Sequence, residues 1–181
     1  MTPPFFHIIF LRYMRTEALN HKYVYGTPMQ GGRIVVDLAD MHQKCTQSYV
    51  RRPYGVGLLV AVYDQTGPHL YVTEPSGNYF EYMAMAIGSR SQTSRTYLER
   101  EFESFPTASL DDLIKHSLRA LASTLSGDTE LDTKSASISI VGKDRAFEII
   151  EGPALQVYLD AIEVDGTGAA MDEEILENPE V

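Results

Sequence analysis

Short apolar runs alternate with turn-forming residues in the middle of the chain, and this pattern predicts three consecutive strands. Val56–Tyr63 is apolar at almost every position, His69–Thr73 follows a turn at Asp64–Pro68, and Tyr79–Ile87 follows a second turn at Pro75–Asn78. A short, continuous apolar run is typical of a strand that is covered on both faces. We therefore expect an antiparallel three-stranded meander whose first strand has no face in solvent.

Helical spacing of apolar residues predicts two helices before the meander. The first carries Leu11, Met14 and Ala18 on one side and is expected to end near Tyr25-Gly26. The second is amphipathic, and we expect it to end at Arg51-Arg52-Pro53, because proline disfavours helical geometry in the residue before it. Its apolar stripe has spacings of four, three and four and consists of Ile34, Leu38, Met41 and Cys45.

Two further helices are predicted after the meander. Gly88 ends the third strand, and either Ser89 or Ser91 is expected to cap the next helix. That helix is predicted to bury Tyr97, Leu98, Phe102 and Phe105. Ser109 and Asp112 have the spacing of a capping box, and Gly127 is the expected stop of the helix that they begin. The predicted buried stripe of this helix consists of Leu110, Leu113, Ile114, Leu118, Leu121 and Leu125.

A second strand pair and a last helix complete the predicted elements. Ser135–Ile140 alternates polar and apolar residues, Gly142–Arg145 is a turn, and Ala146–Ile150 is the return strand. A helix then starts at Gly152-Pro153 and reaches about Ile162. Two sheet pieces with helices outside them predict an α+β fold.

Composition narrows the class of protein. At 181 residues the chain suits one domain, and its single cysteine, Cys45, allows no internal disulfide. Eight acidic residues from Asp160 onward leave 15 basic and 17 acidic side chains in the rest, so the body is nearly neutral. A neutral body argues against a nucleic-acid surface. No apolar run approaches the roughly 20 residues of a membrane helix, so we expect no membrane contact.

Several motifs in the centre of the chain, taken together, identify a family. They are Arg52-Pro53-Tyr54-Gly55-Val56-Gly57, then Pro75-Ser76-Gly77-Asn78, then Ala84 through Arg100. In combination they resemble the α-type subunits of the 20S proteasome, over about Leu11 to Leu159. Within that family the motifs look most like those of the type-1 α subunits, which hold the sixth position of the α ring.

The resemblance implies a fold and a division of the chain. The fold is the αββα four-layer sandwich of the N-terminal-nucleophile hydrolases, here expected to be incomplete because the opening helix and strands have no counterpart. We expect an atypical N-terminal segment at residues 1–10, a partial α-type domain at 11–164, and an acidic, disordered tail at 165–181. The chain is thus expected to be N-terminally truncated relative to the family.

No catalytic, cofactor-binding or metal-binding residue is predicted. No two of the five histidines have ligand spacing on one element, so we expect surface or partly buried positions for His7, His21, His42, His69 and His116. Cys45 is expected to be a buried structural thiol, since nothing nearby would lower its pKa. Asp111-Asp112 fits the first turn of a helix, and Gly55-Val56-Gly57 begins a strand instead of a phosphate loop. Arg51-Arg52 is either a solvated corner or an intersubunit contact.

The β-type relatives implied by the resemblance use an N-terminal threonine as nucleophile. Here Thr2 is followed by Pro3-Pro4, which cannot enter a central strand, so we expect no catalysis. The implied function is that of a non-catalytic structural subunit of the α ring, in cytoplasm and nucleus, taking part in ubiquitin-dependent protein degradation. Its implied partners are neighbouring α subunits and the β ring, with regulatory particles reached only through the assembled ring. A non-assembling fragment and a threonine peptidase remain as alternatives.

Overall fold

The computed structural model describes residues 5–125 and 131–162. The described residues divide into two compact units: the first comprises those up to Ile87 together with Val141–Ala146, and the second comprises those between Gly88 and Ile140 and between Phe147 and Ile162. Helices and antiparallel strands occupy separate stretches of the chain, so the fold is α+β, as predicted. The expected tail at 165–181 lies outside the described residues. The predicted helix stop at Gly127 is wrong, because the helix that begins at Leu110 already ends at Ala122.

The first helix, α1, spans Phe5–Tyr25 and ends where the sequence predicts. Gly26 terminates it with a φ of +71°, and its N–H donates to the carbonyl of Lys22 at 2.9 Å. The helix runs without interruption through the expected boundary between residues 10 and 11. Phe10, which that division assigns to the atypical segment, is 0% exposed and belongs to the core of the first unit.

The second helix, α2, spans Gly31–Thr46 and buries the predicted face. Its buried residues are Gly31, Val35, Leu38, Ala39, His42 and Cys45. The predicted end at Arg51-Arg52-Pro53 is wrong, because the helix stops at Thr46. Tyr49 and Val50 are solvent-exposed, so a longer helix would gain none of the tertiary packing that stabilises helices in proteins.

Three antiparallel strands follow, β1 at Leu58–Asp64, β2 at Gly67–Thr73 and β3 at Tyr79–Glu81. They form a sheet in the order β1-β2-β3, as the meander predicts. Leu58 pairs with Thr73 at one end of the hairpin and Asp64 pairs with Gly67 at the other, so the turn contains only Gln65 and Thr66.

The predicted third strand, Tyr79–Ile87, is too long, since β3 ends at Glu81. One more hydrogen bond follows, from the Tyr82 N–H to the Leu70 carbonyl at 2.9 Å. If the register continued, Ala84 would lie opposite Pro68, which has no N–H to donate. Since Pro68 keeps only its carbonyl, that pair could form at most one of the two hydrogen bonds of a regular ladder, which favours the end of the strand.

The expectation that β1 has no solvent face is also wrong. Alternate residues of β1 are exposed in the described structure, and Leu59 is 41% exposed. Leu58 and Val60 face α2 and pack against the core of the first unit. The continuous apolar run predicted two covered faces, but the helices of this unit cover only one of them.

The core of the first unit is built around Phe10, Leu38 and Val56. His42 lies beside it at 0% exposure, with its ring centroid 4.8 Å from that of Phe10 and 5.3 Å from that of Tyr54. Among the described residues, neither ring nitrogen of His42 has a hydrogen-bond partner. The prediction of a surface or partly buried position is thus wrong for His42, and its burial lowers the pKa of the imidazole.

α2 approaches the sheet so closely at its first residue that there is no room for a side chain. A Cβ on Gly31 would lie 2.6 Å from Cγ1 of Val62, well inside the roughly 3.5–4.0 Å of ordinary carbon contacts. A similar approach occurs at Gly77, in the β2–β3 turn, where a Cβ would lie 2.7 Å from Cβ of Gln43. The helix is therefore held against the sheet near both of its ends.

The second unit contains helices α3 at Ser91–Glu101 and α4 at Leu110–Ala122, joined by a 3₁₀ helix at Phe102–Thr107. A two-stranded sheet follows in the chain, with β4 at Ile138–Gly142 and β5 at Arg145–Ile150, of which Ile138–Ile140 and Phe147–Ile150 belong to this unit. A fifth helix, α5, covers residues 153–162. The core residues come from α4, β4 and α5, and they are Ile114, Leu118, Ile140, Leu155 and Leu159.

The predicted cap of α4 is confirmed, whereas the predicted cap of α3 is wrong. Ser109 is the N-cap of α4, and its hydroxyl accepts the Asp112 N–H at 3.2 Å. At α3 the N-cap is Arg90, with a φ of 56° and no side-chain hydrogen bond, in place of Ser89 or Ser91. A residue that caps a helix with its side chain normally has an extended backbone at the N-cap position. Here Arg90 occupies that position in a left-handed conformation, so neither serine caps the helix.

Two predictions of buried faces in the second unit are wrong in part. Phe102 is 45% exposed because it begins the 3₁₀ helix, whose tighter winding turns it away from the α3 face. Leu110 and Leu121, at 39% and 43% exposure, lie in the first and last turns of α4, beyond the stretch around Ile114 and Leu118 that reaches the core.

The strand predicted at Ser135–Ile140 begins three residues late, at Ile138. Ser135 is held instead in a local turn, where its hydroxyl accepts the Asp132 N–H and donates to the Asp132 carbonyl, both at 3.0 Å. Such side-chain bonds to nearby backbone compete with strand pairing.

Gly31→Ala is expected to lower the free energy of unfolding by about 1–3 kcal/mol, the usual cost of overpacking a closed contact. Gly32→Ala is the matched control, because a Cβ there lies 3.4 Å from the Tyr71 hydroxyl, an ordinary contact. It should be neutral or stabilise by up to about 1 kcal/mol, since alanine is the better helix former. Urea denaturation followed by far-UV circular dichroism measures both.

Val62→Ala in the Gly31→Ala background should restore part of the lost stability, because it removes the two methyl carbons of Val62 that the new Cβ meets at 2.6 and 3.0 Å. The rescue is only partial, since Cβ of residue 62, at 2.8 Å, remains. Equal effects of Gly31→Ala and Gly32→Ala, or additive effects of Gly31→Ala and Val62→Ala, would contradict the close approach.

His42→Leu is expected to make folding less sensitive to acid. A histidine whose pKa is lowered by burial stabilises the fold above the unfolded-state pKa of about 6.5, and that contribution is lost as the pH falls through the lowered value. The wild type should therefore lose more thermal stability than His42→Leu between about pH 7 and pH 5. His21→Gln is the control, since it removes an exposed histidine. Parallel pH profiles for wild type and His42→Leu would refute this.

Candidate functional site

Among the histidines whose side chains the structure describes, His21, His42, His69 and His116, no two are in contact. His7 lies in α1, and a ring nitrogen of His21 lies 3.1 Å from the Thr27 carbonyl. Nδ1 of His116 is 2.8 Å from the Tyr97 hydroxyl in the second unit. The remaining surface histidine, His69, has charged neighbours.

His69 is at the centre of a polar cluster near the turn of the β1–β2 hairpin. Its Nδ1 lies 2.5 Å from Oε1 of Glu81, while its Nε2 lies 2.7 Å from the Thr66 hydroxyl and 3.3 Å from Oδ1 of Asp64. The side chains of His69 and Asp64 are only 20% and 13% exposed. The ring also stacks on Tyr71, with centroids 5.9 Å apart. We call Asp64, Thr66, His69 and Glu81 the hairpin cluster.

Asp64 joins this cluster to the start of α2. Its Oδ1 accepts the Thr66 N–H at 2.8 Å and the Thr66 hydroxyl at 2.5 Å, while its Oδ2 accepts the Gly31 N–H at 3.3 Å. These bonds, those from Thr66 first, lower the pKa of Asp64 to about 2. The carboxylate also lies at the helix N-terminus, where negative charge is favoured.

The neighbours of His69 favour its charged form. The hydrogen bond to Glu81, together with the nearby charge of Asp64, raises the pKa of the imidazole. When the ring is protonated, Nδ1–H donates to Glu81, Nε2–H points at Thr66 and Asp64, and the Thr66 hydroxyl donates to Asp64. Both ring nitrogens, the Thr66 hydroxyl, both Asp64 oxygens and Oε1 of Glu81 then have complementary partners.

A hydroxyl, an imidazole and a carboxylate in this order also form the relay of serine-type hydrolases. In such a relay the neutral imidazole must take the proton of the hydroxyl. Here the Thr66 hydroxyl has a carboxylate acceptor at 2.5 Å, and two carboxylates favour the imidazolium, which cannot act as a base. The geometry therefore suits a charged structural link better than an activated nucleophile.

Sequence reasoning missed this cluster, because the four residues are spread over three strands and one turn. Part of the cluster could have been predicted from the two-residue turn. With that turn, the antiparallel register places His69 directly opposite Val62 and close to Asp64, the last residue of β1. Glu81 could be added only after the shorter β3 was known, and it pairs with Tyr71, the second residue after His69.

The other residues weighed in the sequence take structural positions. Cys45 is 4% exposed, and its contact with the Tyr54 hydroxyl contributes, after burial, to the raised pKa of that tyrosine. Asp111-Asp112 is in the first turn of α4. Arg51-Arg52 is exposed, and Thr2 lies outside the described residues.

Within the described ranges, no three histidine, cysteine or acidic side chains are grouped so that they could bind a metal ion. In the same part of the chain, no helix is both long and apolar enough to span a bilayer.

Comparison with known proteins gives a consistent result. A family profile described as "Proteasome subunit" matches residues 8–141. "Proteasome subunit alpha type-1" of Dictyostelium discoideum is 53% identical over 152 residues, an alignment that covers 83% of this chain and 61% of the relative. The protein of the same name from Trypanosoma brucei rhodesiense is 46% identical over 153 residues, covering 82% and 56%. "Probable proteasome subunit alpha type-6" of Schizosaccharomyces pombe is 44% identical over 158 residues, covering 87% and 58%.

The chain thus spans less than two thirds of the length of these relatives. The family profile covers most of the described residues, including all of α2, the three-stranded sheet, α3 and α4. The motifs from Arg52 to Arg100, which the sequence analysis associates with the α-type subunits, lie inside the matched range. This chain belongs to the proteasome subunit family and is an α-type member of it.

Proposed function

We propose that the chain acts as a non-catalytic structural subunit of the α ring of the 20S proteasome core particle. The observation that carries the proposal is the match of residues 8–141 to the proteasome subunit family, together with relatives named as α subunits. In this function the chain takes part in ubiquitin-dependent protein degradation as a component of the particle, in cytoplasm and nucleus.

The proposed fold is the four-layer αββα sandwich, with the α-type domain at residues 11–164 and the acidic tail after it. The three-stranded sheet supports this arrangement because it is covered by α2 on one face and is apolar on the other. Leu59, Val72 and Phe80 form one row across that second face, and Leu59 and Phe80 are 41% and 49% exposed. An apolar sheet face of this kind is usually buried against another layer.

The proposed partners are neighbouring α subunits and the β ring, and regulatory particles are reached through the assembled ring. The hairpin cluster supports a structural function, since its geometry favours a charged link over an activated hydroxyl. No cofactor is needed for this function.

Two other functions are distinguishable from this one. A fragment that does not assemble would share the fold of the described units but would not enter the particle. A threonine peptidase of the N-terminal-nucleophile type would need a free threonine at the start of a strand.

The full chain, expressed with an affinity tag in cells, is expected to co-sediment with the 20S particle in a density gradient. Leu59→Asp should prevent this, because it places a charge on the apolar sheet face, where burial of an unpaired carboxylate is strongly unfavourable. Gln92→Asp, at an exposed position in the first turn of α3, is the matched control and should still co-sediment. A wild-type chain that stays at the top of the gradient would favour the non-assembling fragment.

The purified chain is expected to show no hydrolysis of fluorogenic peptides. Hydrolysis that survives repurification to constant specific activity and is blocked by a threonine-directed inhibitor would overturn this and favour the peptidase.

A further inference from the structure

The hairpin cluster connects three elements of the first unit through one imidazole. His69 lies on β2, and its ring bonds Glu81 at the end of β3 through Nδ1 and approaches Asp64 at the end of β1 through Nε2. Asp64 in turn accepts the N–H of Gly31, the first residue of α2. The ring is therefore the only one of these groups that reaches both β1 and β3 among the described residues.

Protonation decides whether these bonds can exist together. In the imidazolium both nitrogens donate, so Glu81 and the Thr66–Asp64 pair are all satisfied. In the neutral ring with its proton on Nδ1, the Nε2 lone pair faces the Thr66 hydroxyl, which already donates to Asp64. The Thr66 hydroxyl can donate to only one of these two acceptors, Asp64 or Nε2 of His69, so one of the two hydrogen bonds is lost.

The charges that face His69 all act in the same direction. Asp64 from β1 and Glu81 from β3 are acidic, and both favour the protonated ring. Tyr71 on β2 stacks against the ring, and its own raised pKa, due mainly to burial, keeps it neutral. From α2 the cluster receives the uncharged N–H of Gly31. Asp64, with a pKa of about 2, stays ionised throughout the range in which histidine titrates.

We propose that the hairpin cluster is a proton-operated clasp, closed when His69 is protonated, which fixes the β1–β2 turn to β3 and to the first turn of α2. Its stabilisation is fully present below the pKa of an unfolded histidine, about 6.5, and is lost as the pH rises through the higher pKa of the folded state. The clasp acts on the part of α2 that lies closest to the sheet, at Gly31 and Val62.

The test compares the full wild-type chain with His69→Gln at about pH 5 and about pH 8, the limits between which histidine normally titrates. The wild type should exceed His69→Gln in unfolding temperature by a larger margin at the lower pH. Because the comparison is a difference between the two proteins, the opposite contribution of His42 cancels. Hydrogen exchange at the Gly31 and Thr66 amides gives the local signal. These amides should exchange about two- to tenfold faster in His69→Gln at the lower pH, the range expected for one ordinary hydrogen bond.

Glu81→Gln provides a second, shape-conserving test that does not depend on how well His69→Gln folds. It should lower the titration midpoint of the His69 ring, followed by NMR, because it removes the charge of the carboxylate that bonds Nδ1. Glu99→Gln, on the exposed side of α3, is the control and should leave that midpoint unchanged. An unchanged midpoint in Glu81→Gln, or a wild-type margin over His69→Gln that does not vary with pH, would overturn the proposal.

Discussion

The packing of α2 on one face of the three-stranded sheet determines the arrangement of the first unit. The helix can approach the strands because Gly31 presents no side chain to Val62, and the N–H of the same residue is accepted by Asp64. Steric fit and hydrogen bonding thus act on one residue at the helix start. The core around Phe10 and Leu38 forms on the side of the sheet that this packing closes.

What the sequence predicts well is local. The end of α1 at Tyr25-Gly26, the apolar face of α2 and the cap at Ser109 depend on residues within a few positions of each other. A left-handed glycine or a capping hydroxyl has the same effect wherever the segment is placed, so these features follow from the local chain. The hairpin turn, predicted at Asp64–Pro68, is also local, but it is shorter than predicted and contains only Gln65 and Thr66.

What it predicts poorly depends on distant partners. The length of β3 is limited by Pro68 on the neighbouring strand, and the exposure of Leu59 depends on which layers cover the sheet. The sequence pattern does not distinguish His42 from other polar residues on an amphipathic helix, because the rings that bury it, Phe10 and Tyr54, come from other parts of the chain. The hairpin cluster was missed for the same reason, since its residues meet only after the strands have paired. Periodicity identifies the face of an element but not what covers that face.

The Gly31–Val62 contact also has a consequence for how this sequence can change. The two positions share one small volume, so a larger residue at position 31 fits only if position 62 becomes smaller. A larger residue at position 31 alone would clash with Val62, and a smaller residue at position 62 alone would leave a void. A chain with the larger residue on the helix and glycine on the strand would fill the same space. Residues more than thirty positions apart are thereby constrained to vary together, and a correlated substitution at these two sites among related chains would be the record of that constraint.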